Sequence, residues 1–257
     1  MNQNTRIRKY FIWLFWIAVW QTANILIHNN IIFVGPLDMV KALAEQAADP
    51  AFWATILNSF ARISLGFLGA FFLSILLGSL AYLFPLVKEL LDPVMLLIKS
   101  VPVASFVILA LIWIGSRNLA VFTSFLVVVP MIYVSTLSGL EHTDRKLLEM
   151  ARVFSMPLYK QVRYIYIPGL LPYLISGCRT ALGMSWKSGA AAEVIGLPEH
   201  SIGEHLYMAK IYLETADLFA WTLVIILVSA VFEQMVLFLI SRLCPQRGET
   251  THETADL

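Results

Sequence analysis

EMARVFSMPLYKQVRYIYIP, residues 149–168, is the one long charged stretch of an otherwise oily chain. Of the 257 residues, 59% are hydrophobic and only 14% charged, and mean hydropathy is +0.76. Soluble domains carry ~25% charged and ~45–50% apolar residues. The departure points to a membrane, where each helical crossing takes ~20 mostly apolar residues. Residues 149–168 are therefore a water-facing element set between membrane helices. The expected fold is an all-α integral membrane protein of about six transmembrane helices, with no soluble domain. The net charge of +1 gives no electrostatic ground for a nucleic-acid partner.

Working outward, apolar segments fall at about 10–29, 59–84, 91–114 (interrupted at Pro102), 119–138, 169–193 and 218–241. The sequence divides into an N-terminal helix with an amphipathic outer segment (1–57), a core (58–241) and a polar tail (242–257) expected to be disordered. The charged run 139–168 lies inside the core. Arg6, Arg8 and Lys9 precede the first apolar run as in a signal peptide. That run is long, Trp-rich and lacks a small-residue cleavage site, so it reads as a retained helix.

Lys and Arg placement gives the orientation. One side collects Arg6, Arg8, Lys9, Lys88, Arg145, Lys146, Arg152, Lys160, Arg163, Arg242 and Arg247; the other has Lys41, Arg62, Arg117 and Lys210. Both termini and the 139–168 segment are thereby expected in the cytoplasm. The 194–217 loop is expected outside, and is acidic through Glu199, Glu204, Glu214 and Asp217.

Within 139–168, Thr143 or Asp144 can cap a helix whose Leu147, Leu148, Ala151 and Phe154 recur at helical spacing. Ser155, Met156 and Pro157 break it. Pro157 suits the first turn of a second helix, carrying Leu158, Val162, Ile165 and Tyr166 and closed by Pro168. Two short helices at an angle make a knob suited to a partner's groove. Two apolar segments also carry small residues four apart: Gly66, Ala70, Ser74, Gly78, and Gly177, Ala181, Ser185, Gly189. These let helices approach closely, for bundle packing or for a dimer or gating interface.

The segment resembles the EAA loop of binding-protein-dependent ABC importer permeases, whose pattern is E-A-A-x3-G-x9-I-x-L-P. Here Glu149, Ala151, Ile165 and Pro168 hold the pattern, while Met150, Ser155 and Ile167 stand where it has Ala, Gly and Leu. NSFARISLGF (58–67) is similar to the start of that family's core. GCRTALGMSWKSGAAAEVIG (177–196) looks like the fifth span of the nitrate/sulfonate/taurine-type subgroup, with Arg179 early and Glu193 late.

The resemblance implies a type I ABC importer permease fold working by alternating access in a prokaryotic cell (inner or plasma) membrane. It implies a permease pair, taken as a homodimer, two cytoplasmic ATP-binding subunits, and an extracytoplasmic substrate-binding protein. ATP and Mg would bind the ATPase partners, with no cofactor in this chain and no catalysis by it. It assigns coupling to Glu149, Ala151, Arg152, Ser155, Met156 and Pro157. The solute would be small and polar: sulfonate-, taurine- or nitrate-like, or a pyrimidine or vitamin precursor.

Ionisable groups inside spans are costly and mark function by default. Lys99 with Ser100, Arg179, Trp186, Lys187 and Glu193 are candidate pathway residues. Arg179, Trp186 and Glu193 recur every seven residues, within about 40° on a helix, and Arg62 can pair with Glu193. Lys99 and Lys187 favour an anion while the acidic outer loop argues the other way, leaving charge preference open. Cys178 and Cys244 read as free thiols. The five histidines are scattered and give no metal-ligand set. The sequence contains no GxxxxGK[ST] phosphate loop. The alternative is a self-contained secondary transporter, which needs an internal ion site and usually inverted repeats.

Overall fold

The computed structural model describes residues 3–27, 29 and 31–243. The expected disordered tail falls almost wholly outside them. The described residues form α1 (Gln3–Ile27), α2 (Pro36–Ala47), α3 (Pro50–Leu83), α4 (Pro85–Ser100), α5 (Val103–Ile114) and α6 (Ser116–Glu141). There follow α7 (Arg145–Val153), α8 (Leu158–Gln161), a π turn (Val162–Tyr166), α9 (Ile167–Gly196), α10 (Ile202–Ile211) and α11 (Thr215–Leu243). No strand occurs among the described residues.

By length and composition α3, α6 and α11 can cross a membrane, and α4 with α5 makes a fourth candidate bent by 103°. The other two expected spans correspond to α1, whose apolar run is Phe11–Ile27, and to α9. α9 has 30 residues but carries Arg179, Lys187 and Glu193. The bend is sharper than a mere interruption. Pro102 disfavours helical geometry at the residue before it. Val101 is accordingly extended (φ −72°, ψ 128°) and the chain turns there.

The segments between the spans are themselves partly helical. The polar stretch 30–57 holds α2 and the start of α3, because Asp49 caps Ala51 N–H at 2.9 Å and Pro50 opens the helix. The 194–217 loop contains α10, capped by Ser201, whose Oγ accepts from Glu204 N–H at 3.1 Å.

α6 is the central helix, packed against α3 on one side and α9 on the other. The small residues allow this approach. A Cβ added at Gly78 would press on Thr136, one at Gly66 on the Val121 carbonyl, and one at Gly177 on Ser135. Ser74 donates to the Val129 carbonyl at 3.0 Å, and Ser124 and Ser185 share a hydrogen bond at 2.5 Å. Both stripes thus serve packing within one chain. Phe232 of α11 completes the core edge-on to Phe60, Phe67 and Trp186.

α3 and α6 run parallel and α9 runs antiparallel to both, so the molecule has two distinct ends. α7 and α8 stand at the end where α6 finishes and α9 begins. Lys88 of α4 joins that end through Glu141 at 2.6 Å. The starts of α3 and α11, with α2 and α10, form the far end. α2 packs there through Met39 and Ala42 against Ala220 and Trp20.

Candidate functional site

The knob is built by local chemistry. Asp144 accepts from Lys146 N–H at 2.8 Å and starts α7. At the other end Met156 N–H bonds the Ala151 carbonyl at 2.8 Å, and Ser155 N–H bonds the Arg152 carbonyl at 3.0 Å. This is a Schellman stop, which wants a left-handed residue after the cap. Ser155 supplies it with φ 48°. The serine therefore makes the turn that glycine makes more cheaply. Gln161, which the sequence did not single out, fixes the next turn by donating to the Met156 carbonyl at 2.7 Å.

Ala151 is buried (1% exposed) and Met156 partly so, while Glu149, Arg152, Ser155 and Pro157 are exposed. The predicted inward face holds only at Ala151 and, in part, Leu148. α7 ends at Val153, so the helical spacing stops before Phe154, which turns outward as the cap residue (φ −84°, ψ 9°). Val153, Phe154, Leu158 and Tyr159 are all more than half exposed. They form an apolar tip flanked by Arg152 and Lys160. Such an exposed apolar group is a candidate interaction surface.

From the knob the chain enters the bundle without a break. Pro168 does not close a helix as the sequence suggested. The π turn precedes it, with Ile167 N–H reaching back to the Val162 carbonyl. The widened turn eases the clash that a proline ring makes with the carbonyl four residues earlier. Residues 158–196 are therefore helical throughout.

α9 divides the predicted pathway residues. Trp186 (2% exposed) and Glu193 (1%) lie in the interior, so the expected face of Arg179, Trp186 and Glu193 is split. Arg179 and Lys187 remain exposed, alongside Ser176, Thr180 and Met184. Neither forms a salt bridge with a described residue. Lys99 and Ser100 are exposed at the end of α4, where the Ser100 hydroxyl bonds back to Leu96.

Glu193 sits in a cluster at the far end. One carboxylate oxygen accepts from the Ser59 hydroxyl at 2.8 Å and Gly203 N–H at 3.3 Å. The other faces Arg62 at 3.8 Å, the pair expected from sequence. Ser59 also accepts from Ile202 N–H at 2.9 Å. Ser59 and Gly203 escaped sequence reading because they lie 134 residues before and 10 residues after the carboxylate.

Beyond α10 is a cavity of about 290 Å³ lined by Phe52, His205, Tyr212, Glu214, Asp217 and Trp221, among others. The His205 ring stacks on Trp221 at 4.7 Å, and burial lowers its pKa. Among the described residues no group of three or more His, Cys, Asp or Glu could hold a metal ion.

Residues 46–244 match the model of a family described as the binding-protein-dependent transport system inner membrane component. SsuC of Bacillus subtilis (strain 168), a permease protein named for aliphatic sulfonates, is 25% identical over 90% of this chain and 84% of its own length. The taurine transport system permease protein TauC of Escherichia coli (strain K12) is 25% identical over 90% of this chain and 86% of its own. The bicarbonate transport system permease protein CmpB of Synechococcus elongatus is 30% identical over 56% of this chain and 52% of its own.

Proposed function

We propose a working scheme from one fixed premise: the chain belongs to the binding-protein-dependent transport inner membrane components, the permease subunits of ABC importers. It is a multi-pass membrane permease subunit that takes part in solute import. In the scheme two copies pair across a central pathway. The knob end faces the cytoplasm, on the strength of the Lys and Arg excess there. Two ATP-binding subunits seat the knob in surface grooves, hold ATP and Mg, and perform the hydrolysis. A substrate-binding protein delivers solute to the far end. ATP binding moves the knob and the pathway alternates its access.

The observation that carries this scheme is the exposed tip of Val153, Phe154, Leu158 and Tyr159 on a capped, internally bonded turn. Glu149, Ala151, Arg152, Ser155, Met156 and Pro157 build and flank it. Ala151 roots the helix, Ser155 sets the turn, and Glu149 and Arg152 offer charge beside the apolar tip.

For the solute we favour a small anion. SsuC, TauC and CmpB are named for sulfonates, taurine and bicarbonate, each of which carries an anionic group. Arg179 and Lys187 are exposed on α9 without a salt bridge to any described residue, and Lys99 is exposed at the α4–α5 bend. Cations in a span face a cavity or a partner rather than lipid. The acidic outer loop is no strong objection, since part of its charge serves helix starts. Glu204 accepts from His200 N–H at 2.7 Å beside the start of α10, and Asp217 lies in the first turn of α11. Trp186 and Glu193 would shape the pathway from behind.

Reconstitution tests the scheme. Permease, ATP-binding subunits and binding protein in proteoliposomes should take up a small anion only with ATP inside the cytoplasm-equivalent face. Uptake by the permease alone, driven by an ion gradient, would replace this scheme with a secondary carrier.

A further inference from the structure

We infer that Glu193 is the positioning residue through which α9 carries movement of the knob to α10 at the far end. This rests on the importer scheme and assigns it a mechanical route. The helical run of residues 158–196 spans about 58 Å at 1.5 Å per residue. Its first turns belong to the knob, and its last turn bears Glu193.

The first N–H groups of a helix have no partner within it and need acceptors. α10 takes two of these acceptors from other helices. Ile202 N–H goes to Ser59 of α3 and Gly203 N–H to Glu193 of α9, while Ser201 caps Glu204 N–H. A carboxylate at a helix N-terminus also meets the favourable end of its dipole. Ser59, Glu193, Ser201 and Ile202 are each at most 1% exposed. Water is therefore not at hand to replace a bond that α9 pulls away, and leaving such groups unpaired is costly.

Packing reinforces the bonds. A Cβ at Gly203 would collide with the Cβ and backbone of Glu193, so the start of α10 lies directly on α9. Arg62 adds a brace by donating to the Glu199 carbonyl at 3.2 Å while facing Glu193. The other half of α10 borders the cavity of about 290 Å³ through His205, Met208 and Ala209. α10 is thus bonded at its start to α3 and α9 and rests further along on α11, with His205 stacked on Trp221, so a shift of α9 acts first on its start.

The test uses the whole reconstituted importer, with Lys210→Cys on α10 as the only thiol after Cys178→Ala and Cys244→Ser. Labelling by a membrane-impermeant maleimide is compared without nucleotide and after trapping with ATP and vanadate. The labelling rate should change several-fold between states in the parent and in Glu193→Gln, whose amide oxygen still accepts both bonds. In Glu193→Ala the change should collapse, with uptake down roughly tenfold and basal ATP hydrolysis kept. Gly203→Ala should reproduce that result if Glu193→Ala fails to assemble. A purely structural role would lower yield while surviving complexes kept the state-dependent change. State-dependent labelling preserved in Glu193→Ala, or lost in Glu193→Gln, overturns the inference. So does ATP-driven uptake by a parent whose labelling never changes. Uptake without any ATPase instead overturns the importer scheme itself.

Discussion

The two ends of α9 solve opposite problems. At the knob, apolar side chains stand in water and the backbone is satisfied within a short local segment. At the far end, a carboxylate stands in a closed interior and is satisfied by α3 and α10, far away in sequence. On the proposed scheme the knob is the surface that meets a partner, so changes there should act on assembly. The far-end cluster is a finished joint, so changes there should act on how the chain moves.

The largest expected effect breaks the first half of that contrast. Phe154→Asp puts a charge on the exposed tip without touching a packed residue. If the tip is the centre of an interface, it should weaken ATPase-subunit binding by ~2 kcal/mol or more, about 30-fold. Co-purification and titration with the ATPase subunit would measure it. Undiminished binding would move the docking surface elsewhere.

The next effect sharpens the turn itself. Ser155 bears a left-handed backbone that costs an L-residue about 1–2 kcal/mol relative to glycine. Ser155→Gly should raise the hydrogen-exchange protection of the Met156 amide, and Ser155→Val should lower it. Equal protection in all three proteins would mean that the turn is not under strain.

A third test concerns the far end. Burial lowers the His205 pKa below its ordinary 6.5, so the folded state prefers the neutral ring. Fewer protons are then bound folded than unfolded, and stability rises with pH across that window. The contribution is present above the unfolded value and is lost as pH falls through it towards the folded one. Exchange protection in α10 should therefore drop on acidification from neutral, and His205→Gln should flatten the drop. The same profile in both would assign the pH response to other groups.

The smallest effect is at Lys88–Glu141, which is exposed on both sides. Lys88→Met should cost under ~1 kcal/mol in a thermal unfolding assay. A larger loss would show that the knob end depends on this pair.

Much of the knob was legible in sequence because its structure is local. Asp144, Pro157 and the Ser155 break act within a few residues, and the motif spacing named the family that the match over 46–244 shows. Phe154 was misread because the helix stops one residue before it. Pro168 was misread because a π turn can absorb a proline that would otherwise end a helix. At the far end the Arg62–Glu193 pair was foreseen from depth alone. Its partners Ser59 and Gly203 were not, since neither residue type announces a distant carboxylate. The divided face of α9 escaped for a similar reason. A seven-residue repeat drifts on a 3.6-residue helix, leaving Arg179 outside and Trp186 with Glu193 inside.

The most direct test of the central claim is ATP hydrolysis stimulated by the substrate-binding protein in complexes bearing Glu149→Lys. Glu149 is exposed on α7, so the substitution disturbs no packed residue and membrane insertion should be unchanged. Stimulated hydrolysis and uptake should fall together while the permease remains in the membrane at normal levels. Stimulated hydrolysis and uptake at the parent's rate would contradict that claim.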